Sequence, residues 1–181
     1  MTPTIKGMFV NSHIATLRKH KGESAIRDLE TRYGTSIIFK NLQDVPVRDE
    51  VRIIEIVLDL LGEAPEDPTE RAFDAGRLHL RNFMGTTFGR IISTALPKSP
   101  DGYRMLLSRS GYIARHVFKN SNFNSNVEGD VLIIAMDNCD YPIDHFRGFF
   151  TEWMHSWGIV DPRVSARERS PQTFEYSMRI V

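Results

Sequence analysis

The stretch VLIIAMDNCDYPIDHFRGFFTEWMHSWGIVDPRVSARERSPQTFEYSMRIV, residues 131–181, decides the fold. Val131 to Met136 is a short apolar run rich in β-branched residues. Gly129-Asp130 and Asp137-Asn138 bound it, which marks a buried strand rather than a helix. Pro142 resets the backbone. Ile143, Phe146, Phe150, Trp153 and Trp157 then recur at steps of three and four, so they line one face of a helix that ends at Gly158. Farther on, Phe174, Tyr176, Met178 and Ile180 alternate with Glu175, Ser177 and Arg179, the period of a strand with one face on a core. The aromatic helix and this strand are expected to bury each other.

Working back from that segment, Asn120 to Asn126 is rich in Asn and Ser, yet Glu128-Gly129-Asp130 and a strong strand follow it, so it is read as the first strand of a hairpin. Everything before it is helical in pattern. Val10, Ile14 and Leu17 mark a first helix reaching Gly22. Ala25, Ile26, Leu29 and Tyr33 mark a second that stops at Gly34. Ser36 to Phe39 is extended or a connector. After Pro46, Val51, Ile54, Val57, Leu58 and Leu61 face inward on a helix closed by Gly62. Thr69-Glu70 opens the next, with Ala72, Phe73, Gly76, Leu80 and Phe83 on its buried side, and Gly85-Thr86-Thr87 interrupts it. A helix from Phe88 to Leu96 stops before Pro97, and another runs from Pro100 through Tyr103, Leu106 and Leu107 toward His116. The fold class is α+β: an N-terminal helical block, then a small antiparallel sheet with a β-hairpin, an aromatic-faced helix and two closing strands, all in one domain over residues 1–181.

Lys and Arg total 23, as do Asp and Glu, so a net charge of zero gives no general attraction to nucleic acid or anionic membrane. The single cysteine, Cys139, excludes an internal disulfide. Without a signal-peptide pattern or an apolar run of the ~20 residues that span a bilayer, the expected setting is the cytoplasm, with no membrane insertion.

The opening Ile5-Lys6-Gly7-Met8-Phe9-Val10-Asn11-Ser12-His13, the Phe88-Gly89-Arg90 helix and the ending of hairpin, helix and two strands resemble a myxobacterial-type paralogous family of uncharacterised domains. That family is similar in fold to the superfamily of heme-nitric-oxide/oxygen-binding domains, vinyl-reductase-type small-molecule-binding domains and TRAPP vesicle-tethering subunits. The resemblance implies a heme test. Heme sensors of this superfamily carry a proximal histidine on the helix before the hairpin and a Tyr-x-Ser-x-Arg motif for the propionates. His116 is the nearby histidine, and Met136-Asp137-Asn138-Cys139-Asp140 stands where the motif is expected, with acids that repel propionates. No heme or other cofactor is assigned.

Other constellations read as structural. His145 and His155 lie ten apart on one helix, too far along the axis to share a metal, and are taken as surface residues; no metal site is assigned. Cys139 with Asp137, Asp140 and His145 lacks an oxyanion-hole motif and is read as a turn cysteine. Arg163, Arg167 and Arg169 suit a solvated strand face, and Arg18-Lys19-His20-Lys21 suits a helix end. Gly89 lacks the company of a phosphate loop and is assigned to close helix packing. The one ligand-binding set is the aromatic stripe Phe146, Phe150, Trp153 and Trp157, which either fills the core or walls a pocket for a small hydrophobic ligand. The expectation is a non-enzymatic binding or sensory domain, an adaptor answering to a small apolar ligand or a protein partner. The alternatives are a ligand-free, TRAPP-like dimeric scaffold and an uncharacterised enzyme. Apolar faces at Val10, Ile14 and Leu17 and at Val51, Ile54 and Leu58 lead to the expectation of a homodimer.

Overall fold

In the computed structural model, which describes residues 1–95, 102, 105 and 109–179, the chain forms a helical block joined to two antiparallel sheets. Strand β1 (Thr4–Lys6) leads into helix α1 (Gly7–Tyr33), which breaks at Gly22, where φ is 78° and ψ −173°. A side chain resists that left-handed φ, and glycine does not. The two expected helices are thus limbs of one element, and both keep their predicted apolar faces: Val10, Ile14 and Leu17, then Ala25, Ile26 and Leu29, are all buried.

Strand β2 (Asp44–Pro46) precedes helix α2 (Val47–Leu61). Its buried face is Glu50, Ile53, Ile54, Val57 and Leu58; Val51 and Leu61, expected inside, are only half-buried. Helix α3 (Pro68–Gly85) starts one residue earlier than Thr69 because the Asp67 carboxylate accepts the N–H groups of Thr69 and Glu70, each at 2.9 Å. The Thr86 hydroxyl ends α3 by donating to the Phe83 carbonyl and opens helix α4 (Thr87–Ala95) by accepting the Gly89 N–H. Most of the helix expected from Pro100 to Leu107 lies outside the described residues, as do Leu96 and Ile180; helix α5 (Ser110–Val117) carries its C-terminal part.

Strand β3 (Phe118–Lys119) then pairs with β1, giving a three-stranded sheet ordered β2-β1-β3 that the sequence patterns do not predict. The predicted hairpin is β4 (Asn122–Glu128) with β5 (Val131–Asp137), in register from Asn122 opposite Asp137 to Glu128 opposite Val131. Helix α6 (Ile143–Ser156) follows, then β6 (Val164–Ser170) and β7 (Thr173–Arg179), giving a four-stranded sheet ordered β4-β5-β7-β6. As expected, α6 lies on this sheet. Phe150 meets Tyr176 of β7 with ring centroids 5.3 Å apart, and the Tyr176 hydroxyl donates to the Ile143 carbonyl at 3.0 Å.

The helical block packs against α6 through glycines. A Cβ at Gly76 of α3 would lie 1.7 Å from the His145 carbonyl oxygen, and one at Gly148 of α6 would lie 1.9 Å from the Phe73 carbonyl oxygen, so only hydrogen fits at either crossing point. The faces behind the expected homodimer are occupied inside the chain: Val10, Ile14, Leu17, Ile54 and Leu58 are all buried among α1, α2 and their neighbours. Their exposure was the premise for the dimer, and it does not hold.

Candidate functional site

Four helices each place one ionisable side chain at the same buried point. His13 lies on the apolar face of α1 beside Val10, Ile14 and Leu17, and Glu50 lies on the face of α2 with Ile53, Ile54 and Val57. His79 follows Gly76 on α3, and His145 stands on α6 at the glycine crossing. All four are 2% exposed or less. His13 Nε2 lies 2.7 Å from Glu50 Oε1, His79 Nδ1 lies 3.5 Å from the same oxygen, and His79 Nδ1 lies 3.0 Å from His145 Nε2.

A polar relay leads into this cluster. The Thr16 hydroxyl donates to Asn82 Oδ1 at 2.6 Å, and Asn82 Nδ2 donates to His13 Nδ1 at 2.9 Å. With the Asn82 amide in this orientation Nδ1 accepts, so Nε2 carries a proton that is given to Glu50. The second Glu50 oxygen and the Tyr141 hydroxyl face each other closely enough for the carboxylate to hold the phenol proton, but fall short of full hydrogen-bond geometry and have no other partner. Tyr141 closes the cluster from the segment before α6, its ring 4.6 Å from that of His145.

The electrostatics follow from burial. Desolvation pushes Glu50 toward the neutral acid, but the His79, His13 and His145 rings and the His13 hydrogen bond outweigh it and hold the carboxyl at about 2. Burial lowers His79 to about 3 and His145 to about 4, with Glu50 pulling the other way. Burial followed by the neighbouring Glu50 charge raises the Tyr141 phenol well above its usual value. A buried carboxylate facing imidazole nitrogens, shut off from water, is a donor set for a cation. His13, Glu50 and His79 offer ligand atoms within 4.8 Å of one another.

The sequence pattern assigns no metal site and predicts both His145 and His155 at the surface; in the structure His145 is buried, while His155 is exposed. The α6 helix turns the two histidines to different sides. His13, Glu50 and His79 escaped notice because each is a polar residue at a core position of an otherwise apolar helix face. That spacing was itself the available signal.

The aromatic stripe borders a second feature. Phe146, Phe150 and Trp153 line an apolar cavity of about 60 Å³ together with Phe83, Ile113, Val117 and Phe123, and His79 forms the edge shared with the polar cluster. Trp157 is half-buried against the core and is not among the cavity's lining residues. Cys139 is buried, which pushes its thiol up to about 12, so it holds no thiolate at neutral pH. Arg167 and Arg169 reach across to Glu175 on β7, whereas Arg163 pairs with Asp161 at 3.6 Å. Arg18, Lys19, His20 and Lys21 are exposed, with Arg18 on Glu23 at 2.5 Å. A Cβ at Gly89 would lie 2.1 Å from the Phe83 carbonyl oxygen, which is the close helix packing expected of it.

Heme does not fit the residues present. His116 is exposed, its ring edge-on to exposed Tyr112 at 5.0 Å. His79 is the one histidine among the described residues that line the cavity, and its Nδ1 is engaged by the polar cluster. The lining includes no cationic side chain for a propionate among the described residues, and about 60 Å³ is far below the roughly 300–1,000 Å³ of ligand pockets. Asp140, in the segment where propionate donors were sought, is held by Arg48 at 3.0 Å.

Residues 1–179 match a family described as a protein of unknown function, DUF2378. No curated protein matches the sequence. Among solved structures, an oxygen-binding H-NOX domain related to soluble guanylate cyclases, in its oxygen complex, is similar with a TM-score of 0.65 and 14% identity, covering 97% of this chain and 93% of that one. An Fe(II) unliganded H-NOX protein variant from K. algicida is similar with a TM-score of 0.63 and 10% identity, over 97% and 96% of the two chains. A protein from work on modulating heme redox potential through porphyrin distortion gives 0.69 and 15%, over 97% and 95%. At these identities the likeness establishes an H-NOX-like fold.

Proposed function

We propose that this chain, which belongs to the DUF2378 family, is a non-enzymatic binding or sensory domain of the cytoplasm that takes up a small apolar molecule. The observation that carries this is the apolar cavity between α3, α5, α6 and the β4-β5 hairpin, walled by Phe146, Phe150 and Trp153. Its fold neighbours include an oxygen-binding domain, so small-ligand binding within this architecture has a precedent. At about 60 Å³ the cavity is smaller than the 150 Å³ that holds benzene, so it suits a ligand of a few heavy atoms or the tip of a larger apolar one. Occupancy would press on α5 and α6 at once, the lever by which a filled site is distinguished from an empty one. The Cys139 thiol, raised to about 12 by burial, is a poor nucleophile, and the clustered histidines are shut off from solvent, which favours binding over catalysis at these groups.

Xenon provides the test. Under xenon pressure, methyl signals of Ile113, Ala114, Val117 and Ile134 should shift with saturation, and Ala114→Leu, which fills the space, should abolish the shift. Unchanged methyl signals in a correctly folded protein would rule the cavity out as a binding site.

A further inference from the structure

His13, Glu50, His79 and His145 come from four separate helices and converge on one point, an arrangement that no single packing requirement explains. Ligand atoms about 2.0 Å from a tetrahedral ion stand about 3.3 Å apart. The His13–Glu50 and His79–Glu50 separations of 2.7 and 3.5 Å lie on either side of that spacing, and all three residues offer ligand atoms within 4.8 Å of one another. The fixed positive charge of a lysine or arginine is absent from the cluster among the described residues, and His79 and His145 share one N···N contact, which holds a single proton. Glu50 meets no lysine or arginine among the described residues, and its Oε2, completely buried, has only the Tyr141 hydroxyl to face, short of full hydrogen-bond geometry. A buried carboxylate with so few donors is costly unless a cation completes it.

We infer that His13 Nε2, Glu50 and His79 Nδ1 form a buried three-ligand site for a divalent transition-metal ion of the zinc type, with the His145 ring packed beside it. Imidazole and carboxylate donors suit zinc and its first-row neighbours, and three protein ligands leave one position of a tetrahedral ion to a water or other small donor. Binding requires a tautomer change but no net loss of protons. The His13 proton moves from Nε2 to Nδ1, and the Asn82 amide turns over so that its oxygen accepts that proton and its NH₂ donates to the Thr16 hydroxyl. The His79–His145 contact holds its proton on one of its two nitrogens, so binding at His79 Nδ1 moves any proton there to His79 Nε2 or leaves it on His145, and each ring ends with one proton. Asn82 and Thr16 then act as positioning residues that orient the His13 ring.

The test uses the full chain purified without a metal-affinity column. Elemental analysis should find one equivalent of metal, or the chelator-treated protein should take up one equivalent of Co(II) with the strong visible absorption of a four-coordinate ion. Glu50→Gln and His79→Asn should weaken Co(II) binding more than about 100-fold, and Asn82→Ala should weaken it about 10–100-fold while leaving four-coordinate absorption at saturation. A variant with the exposed histidines His20, His116 and His155 all changed to Asn should bind as the wild type does. If the buried variants do not fold, the wild type and the surface variant still decide. No metal, no four-coordinate cobalt spectrum and a Tm indifferent to zinc and chelator would overturn the inference, and so would binding lost only when the surface histidines are removed.

Discussion

Replacing Gly76 by alanine should separate two helices and dismantle the site without touching any of its ligand atoms. The added Cβ would stand 1.7 Å from the His145 carbonyl oxygen, 2.7 Å from its carbon and 3.0 Å from the Phe149 nitrogen. Non-bonded atoms prefer about 3.5–4.0 Å, so α3 and α6 must part by roughly 1.5–2 Å. The obstacle is backbone of an intact helix, so no side chain can swing aside. Overpacking of this kind costs about 1–3 kcal/mol. Breaking the His79–His145 contact leaves a buried polar group unsatisfied, about 1–3 kcal/mol more, while alanine's better helix propensity returns about 1 kcal/mol. The net loss should be about 3 kcal/mol. Gly85→Ala, in the last turn of the same helix with nothing within 4 Å of its Cβ, is the matched control and should be neutral or up to about 1 kcal/mol stabilising. Urea unfolding at neutral pH compares the two. Equal midpoints for Gly76→Ala and Gly85→Ala, with unchanged m-values, would refute the crossing as the element that sets the site.

Acid should destabilise the chelator-treated protein. Burial holds His79 at about 3 and His145 at about 4, against 6.5 when unfolded, so between about pH 4 and 6.5 the unfolded chain binds two more protons. Stability is then complete well above pH 6.5 and falls by roughly 2–3 kcal/mol per unit at its steepest as the pH drops, with Glu50 adding a further loss from 4.5 toward about 2; urea midpoints from pH 7 to 5 that do not move would contradict this. Trp153→Ala should cost about 3–5 kcal/mol, because the buried indole meets Phe149 at 5.7 Å and its removal would enlarge the existing cavity. Trp153→Phe should cost under about 1.5 kcal/mol, since the indole N–H has no partner to lose; denaturant curves for the pair that coincide would show the ring is not a structural anchor. Mixing the protein with heme should give no protein-bound Soret band, and a band abolished by His116→Ala would show that α5 presents this side chain inward.

The elements that announced themselves in the sequence are those whose periodicity is long and whose partners are close. The hairpin from Asn122 to Asp137, the aromatic face of α6 and the alternation in β7 each carry their own evidence over seven residues or more. The three-stranded sheet had none. β1 and β3 are three and two residues long, too short for a period, and their pairing joins segments that only the finished fold brings together. The polar site was hidden differently. His13, Glu50, His79 and His145 occupy positions that a helix pattern reserves for apolar residues, and one such residue on one helix looks like noise. Only the convergence of four faces gives them meaning. On α2 the sequence-based face was also turned slightly toward Val51 and Leu61, which directed attention away from Glu50.

The small sheet has a consequence for the order in which the chain assembles. Ile5 sits opposite Val45 on one side and Phe118 on the other, so β1 is the centre strand yet is made before both of its neighbours. During synthesis it waits, first for α1 to be completed and then for the whole of α2 to α5, before its second edge is covered. Until then its free N–H and C=O groups face water or any other extended chain that approaches. Loop closure over so much sequence is slow relative to helix formation, so the helical block should be in place before this strand is sealed on both sides. A pulse of hydrogen exchange during refolding would then find the amides of α1 and α2 protected early and those linking Ile5 to Phe118 protected last. The residue that joins the two halves of the molecule would thus also time its completion.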